Sequence, residues 1–234
     1  MELNVREVAE IFEVPESQVY RWVQKDHLPS RQVNDRPVFN RTELLEWATV
    51  RKIRFLPNLL QEQGTPVAPS ESLAVALGAG GVIAVPGRGT KPEVLREVTR
   101  CLPLPEGCDR DLLLQLFLAR ESLGSTAVGD GIAIPHPRRP VVLAVDHPVL
   151  TICFLDPPVD FGATDRQPVH TLFVLVSPTI RSHLSMLARV ACVLRDPAFR
   201  ALLLRRGTVA ELLLEMRRVE TSFDLMAARS QESA

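Results

Sequence analysis

The chain has 234 residues, of which 46% are hydrophobic and 24% charged, the usage of an ordinary globular protein; collagen-like, low-complexity and wholly disordered chains are excluded. With 27 Lys+Arg against 28 Asp+Glu the net charge is −1, so any attraction to nucleic acid or an anionic membrane must be local. Apolar stretches such as Val149–Leu155 and Leu172–Val176 fall far short of the ~20 residues that span a bilayer. The opening Met1-Glu2-Leu3-Asn4 lacks the basic-then-apolar layout of a signal peptide, and the expected compartment is the cytoplasm.

The first unit is expected over residues 1–54. Asn4 with Glu7 three residues on is a capping-box pattern, followed by Val5, Val8, Ala9 and Phe12 on one helical face. Pro15 suits a first helical position, and Val19, Trp22 and Val23 form a second apolar stripe. From Leu28 to Phe39 the pattern is a short hairpin turning at Asn34-Asp35, with Val33, Val38 and Phe39 as its apolar residues. Asn40 and Glu43 repeat the capping pattern for a third helix, expected to run to about Phe55.

Residues 3–22 and the later Arg36-Pro37-Val38-Phe39-Asn40 resemble the winged helix-turn-helix of the excisionase and MerR-like families. Residues 1–20 hold one arginine against five acids, whereas 21–54 hold eight basic residues against four acids, which puts the positive charge on the recognition-helix end and wing. In a major groove the second helix would present Ser17, Gln18, Arg21 and Lys25. Arg31, Arg36 and Arg41 would meet phosphates. DNA is the partner expected on this reading; the alternative is a solvated or protein-docking surface. One small helix-turn-helix rarely binds tightly alone, so a homodimer is expected with it.

Residues 55–71 have a linker's polar, Gly/Pro composition around 61–70. The second unit, 72–220, mixes short apolar runs with helical periodicity, the pattern of an α/β domain. Strands are expected at Val82–Val85, Ile132–Ile134, Val141–Val145, Val149–Leu155 and Thr171–Val176; helices at Pro92–Cys101, Arg110–Arg120, His183–Arg195, Pro197–Leu204 and Val209–Arg218. The clusters Gly78–Gly81 and Gly87–Gly89 lack dinucleotide or P-loop spacing and are expected to be turns. Residues 221–234 are expected to be a frayed tail. Cys101, Cys108, Cys153 and Cys192 show neither disulfide nor zinc spacing.

The stretch from Arg120 to Pro137 is the most informative. A helix ends near Arg120, a Gly/Ser/Thr loop follows, and a short buried strand delivers His136 between two prolines. Neutral imidazole is a competent nucleophile near pH 7, and phosphoryl transfer asks mainly for positioning and charge compensation. Compensation is available from Arg120, the backbone N–H groups of 124–131, Thr126 and His183, which is expected to open a helix. On the residues alone a satisfied structural role for His136 or His183 remains open, and a metal site lacks a convincing third ligand.

Arg120-Glu121, Gly124-Ser125-Thr126, Gly129, Gly131 to His136, Pro158-Val159-Asp160-Phe161, Asp165, Pro168-Val169 and Ser182-His183-Leu184 resemble a known pattern. It is the enzyme IIA domain of the fructose/mannitol type from the bacterial phosphoenolpyruvate-dependent phosphotransferase system, its nitrogen-regulatory branch above all. The resemblance implies a mixed β-sheet flanked by helices and no bound cofactor or metal. It makes His136 the acceptor of a phosphoryl group from a histidine-containing phosphocarrier protein, with His183 and Arg120 holding its oxygens and Thr126, Gly129 and Gly131 shaping the pocket. Pro137-Arg138-Arg139-Pro140 and Ala127 depart from the usual pattern. The function expected is a phosphotransferase-linked regulator, phosphorylated reversibly and coupled to DNA binding. The alternatives are a phosphocarrier whose first unit docks a protein, and a catalytically silent IIA fold.

Overall fold

The computed structural model describes residues 2–51, 53, 55, 72–137 and 145–232, the side chains of 223 and 225–232 excepted. The expected strand at 141–145 and the linker therefore lie almost wholly outside the described residues. The chain divides into two compact units, Met1–Pro66 with Ser222–Ala234, and Val67–Thr221.

In the first unit, β1 (Glu2–Leu3) leads into α1 (Val5–Phe12), whose N-terminus carries the reciprocal Asn4–Glu7 capping box. Glu13 takes a left-handed conformation and ends α1, and Pro15 becomes the N-cap of α2 (Glu16–Lys25) rather than its first residue. β2 (Arg31–Val33) and β3 (Arg36–Asn40) turn at Asn34 and Asp35, both with positive φ, as a two-residue turn between right-twisted strands requires. β1 joins them to give the order β1-β3-β2. Asn40 caps α3 (Arg41–Val50), which stops short of the expected Phe55 at its C-cap Arg51. Of the hairpin's apolar residues, Phe39 is buried and Val33 exposed. The core is aromatic: Phe12 meets Trp22, Trp47 and Phe55 edge-on, and the two tryptophan rings lie 5.2 Å apart.

In the second unit, α4 (Leu73–Gly80) occupies the stretch where Gly78–Gly81 was expected to form a turn. Tertiary packing overrides the glycines: Leu73, Ala74, Ala76 and Leu77 are buried, and a Cβ on Gly80 would overlap the Leu150 carbonyl. Glycine there allows close helix–strand approach. β4 (Val82–Pro86), α5 (Lys91–Cys101) and α6 (Arg110–Glu121) follow, then β5 (Ala127–Gly129), β6 (Ile132–Ala133), β7 (Val149–Val159) and β8 (Val169–Val176). α7 (Ile180–Arg195), α8 (Pro197–Leu204) and α9 (Val209–Glu232) complete the order, α9 belonging to this unit as far as Thr221.

The sheet order is β4-β7-β8-β6-β5. β4 and β7 are parallel, β7 and β8 antiparallel, β8 and β6 parallel, β6 and β5 antiparallel. The central strands are near-continuous apolar runs because both faces are covered. On one face Cys153, Leu155, Leu172, Val174 and Val176 pack with Val94, Leu95 and Val98 of α5 and Leu113 and Phe117 of α6. On the other, Ile152, Phe154, Phe173 and Leu175 pack with Leu77, Met186, Val190, Phe199 and Met216. Alternate residues along each strand divide between the two layers, the period of two that a pleated strand imposes.

The carboxylate of Glu220 ties α4 to α7 and α9. Its oxygens accept from Leu73 N (2.6 Å), Ala74 N (3.1 Å), Ser72 Oγ (2.7 Å) and Arg189 Nη1 (3.1 Å). Two of these donors are backbone amides at the N-terminus of α4, where an anion is favoured. The expected frayed tail after Thr221 is corrected: α9 is helical to Glu232. Residues 221–232 contain no Gly or Pro, and Ala, Leu, Met, Glu and Gln among them are good helix formers.

Candidate functional site

The parallel pairing of β6 and β8 sets Ile132 beside Thr171 and Ala133 beside Leu172. The chain past β6 stays alongside β8, Leu175 N donating to Pro135 O at 3.1 Å, so His136 arrives at the carboxyl end of the pair. β8 leaves from that same end through Ser177–Thr179 into α7. Thr179 caps the helix by accepting from Ser182 N, so α7 begins at Ile180, not at His183 as expected, and His183 lies in its first turn. The His136 and His183 ring centroids are 5.1 Å apart at 40°, with 2% and 1% of the two residues exposed. The carboxyl ends of parallel strands are where α/β sheets commonly bind ligands.

His136 Nδ1 lies 2.7 Å from the Ile134 carbonyl oxygen. A carbonyl only accepts, so Nδ1 carries the proton and the lone pair of the neutral ring is on Nε2. Arg120, in the last turn of α6, is buried and donates from Nη1 to Gly124 O at 2.9 Å. The turn it grips begins the segment that leads back to His136.

Thr126, Gly129 and Gly131, expected in the phosphoryl pocket, have structural contacts. The Thr126 hydroxyl donates to Glu121 Oε2 at 2.7 Å. The expected loop at 124–131 contains β5, paired with β6 through a two-residue turn at Asp130 (φ 55°) and Gly131 (φ 71°). Asp-Gly between short strands is the sequence signal for such a turn. A Cβ on Gly131 would overlap the His170 ring and come within 3.2 Å of Pro168 O. One on Gly129 would approach Asp165 Oδ2 to 3.1 Å. His170 is half-buried, with Nδ1 2.8 Å from Thr171 Oγ1, and burial holds it below the usual imidazole pKa.

The pairing of two further residues emerges only in three dimensions. Glu121 is buried and receives Lys91 Nζ at 2.9 Å, with Thr126 N at 3.1 Å beside the hydroxyl bond. Glu121 was visible as the acid after Arg120, but nothing in the sequence links it to Lys91, 30 residues earlier. Among the described residues no group of three His, Cys, Asp or Glu side chains gathers as a metal ion would require.

In the first unit Ser17, Arg21 and Lys25 are exposed along one side of α2, spaced by four residues, with Gln18 half-buried beside them. Arg36, at the start of β3, is exposed. Arg31, expected to meet phosphate, pairs with Glu2 Oε1 at 2.5 Å, and Arg41 is half-buried. No described helix is long and apolar enough to cross a membrane.

The family profile described as "Phosphoenolpyruvate-dependent sugar phosphotransferase system, EIIA 2" matches residues 82–218, and one described as "Helix-turn-helix domain" matches residues 2–52. A nitrogen regulatory protein of Pseudomonas aeruginosa is 39% identical over 139 residues, covering 58% of this chain and 86% of that one. One of Bradyrhizobium diazoefficiens is 37% identical over 109 residues, covering 46% and 69%. The solved structure described as a PTS IIA (PtxA) from Streptococcus mutans has a TM-score of 0.52 at 18% identity, over 64% of this chain and 96% of that one, a likeness of fold.

Proposed function

Since this chain belongs to the phosphoenolpyruvate-dependent sugar phosphotransferase system EIIA 2 family, we propose that it is a cytoplasmic regulator in which His136 takes up a phosphoryl group and the helix-turn-helix unit binds DNA. The observation that carries the first half is the bond from His136 Nδ1 to the Ile134 carbonyl beside the ring of His183. Nε2 attacks the phosphorus of a phosphohistidine on the phosphocarrier protein. A new N–P bond forms as the old one breaks, and the electron pair of the broken bond returns to the donor imidazole. His183, in the first turn of α7, and Arg120 compensate the charge on the phosphoryl oxygens. The cycle is a reversible transfer with a regulatory output.

For the second half, Ser17, Gln18, Arg21 and Lys25 of α2 face the major groove and Arg36 meets a phosphate, with the β2–β3 hairpin as the wing. Tight binding by so small a module calls for a second copy, and the reading includes a homodimer. The added charge of phosphohistidine then alters affinity by changing how units or subunits dock.

The test is intact-mass spectrometry under non-acidic conditions after incubation with phosphoenolpyruvate, enzyme I and phosphocarrier protein. One phosphate on the wild type, absent from His136→Ala, is expected; none on the wild type with an active donor system favours a silent IIA fold. DNA binding should weaken steeply with salt and with Arg21→Ala. Phosphorylation without salt-sensitive DNA affinity would make the first unit a protein-docking module.

A further inference from the structure

Thr126 joins two parts of the site. Its carbonyl oxygen accepts from Ile134 N at 3.0 Å, and the Ile134 carbonyl in turn holds His136 Nδ1 at 2.7 Å. On its other side the Thr126 amide and hydroxyl both donate to Glu121 Oε2, at 3.1 and 2.7 Å. Two residues before Thr126, Gly124 O is the acceptor for Arg120. The turn at 124–126 therefore touches the backbone that orients the His136 ring and the guanidinium of Arg120, and Glu121 holds it.

A carboxylate so placed carries a hazard, because a site that receives a phosphoryl dianion loses affinity with each uncompensated negative charge nearby. Lys91 answers it. Its Nζ reaches Glu121 Oε1 at 2.9 Å and Phe161 O at 3.1 Å, and Ser125 Oγ donates to that same carbonyl at 2.6 Å. The ammonium thus neutralises Glu121 and is fastened to the turn by a shared acceptor. An ionised carboxylate only accepts, which suits three donors converging on it; a glutamine would turn an N–H₂ toward Lys91 or Thr126.

We propose that Glu121, neutralised by Lys91, is the positioning residue of the phosphoryl-acceptor site, fixing the ring tautomer of His136 through Thr126 and Ile134 and anchoring Arg120 through Gly124. The inference rests on His136 as acceptor, and the experiment separates the two.

In the full chain, transfer from phosphocarrier protein is followed for wild type, Glu121→Ala, Glu121→Gln, Lys91→Met and the double variant Lys91→Met/Glu121→Gln. Each single variant should lose roughly tenfold or more in rate, the scale on which small misplacements act. The double variant, which keeps the amide oxygen for Thr126 and removes both charges, should recover most of it. Imidazole ¹⁵N NMR should give the Nδ1–H tautomer for wild-type His136 and a mixture for Glu121→Ala, with thermal melting confirming that each variant is folded. If the wild type takes no phosphate while Glu121→Ala still releases the tautomer, the acceptor reading fails and the positioning stands. Wild-type rate and tautomer in Glu121→Ala, or a double variant no faster than the singles, would overturn the proposal.

Discussion

Replacing Gly131 by alanine separates a turn requirement from a pocket requirement. Gly131 has φ 71°, and an alanine Cβ would fall 2.5 Å from His170 Nε2 and overlap its ring Cδ2. Left-handed backbone costs a non-glycine residue about 1 kcal/mol. The His170 ring must also move, giving up its bonds to Thr171 Oγ1 and the Asp130 carbonyl, each worth about 1 kcal/mol. The total is about 3 kcal/mol, or a Tm lower by about 6–12 °C for a unit of this size. Gly162→Ala is the control: its φ is 70° and nothing lies within 4 Å of the added Cβ, so only the backbone cost of about 1 kcal/mol applies. Circular-dichroism melting of both full-length variants at pH 7 reads the difference. If Gly131→Ala melts with Gly162→Ala yet accepts phosphate far more slowly, the steric account is wrong and Gly131 belongs to the pocket after all.

Glu220→Ala should lower stability by about 3–5 kcal/mol, read from the urea midpoint, because it strips a buried arginine of its carboxylate and two helix-terminal amides of their acceptor; a loss under 1 kcal/mol would contradict this. Burial holds His170 neutral, with the Arg206 charge acting the same way against the bond to the Asp130 carbonyl. The unfolded chain therefore binds the extra proton first. The contribution of His170 to stability is full above the ordinary imidazole value of about 6.5 and is lost as pH falls from there toward the lowered folded value. An NMR titration placing His170 at or above that ordinary value would refute this. Among the thiols, burial pushes Cys153 far up, whereas Cys101 is exposed although its pKa too is raised, by partial burial and Glu97. Iodoacetamide at pH 8 should alkylate Cys101 and spare Cys153 in the folded protein, as peptide mass mapping would show.

Much of the architecture was legible because caps and periodicity act locally. Asn4 with Glu7, and Asn40, mark helix starts in the sequence and cap them in the structure. The apolar runs of β7 and β8 announce strands covered on both faces. The misses have two sources, long-range contact and local signals outweighed by residue type. Gly78 and Gly80 argue for a turn until the Leu150 carbonyl explains why a helix needs glycine there. His183 looks like a helix start until Thr179 takes the cap. β5 was hidden among glycines, though Asp130-Gly131 carried the signal. At the site, Arg120, His136 and His183 stand out by residue type and motif, whereas the Lys91–Glu121 pair depends on a contact across the sheet's connections that no local pattern encodes.

The bonds from Ser72, Leu73 and Ala74 to Glu220 also make the second unit nearly a closed ring of chain. Its first and last helices meet within hydrogen-bond distance, so a short bridge between them could replace the natural ends, and new ends could open at an exposed turn elsewhere. Units built this way tolerate circular permutation and insertion into other chains. Evolution could therefore splice such a unit beside a helix-turn-helix without remaking its interior.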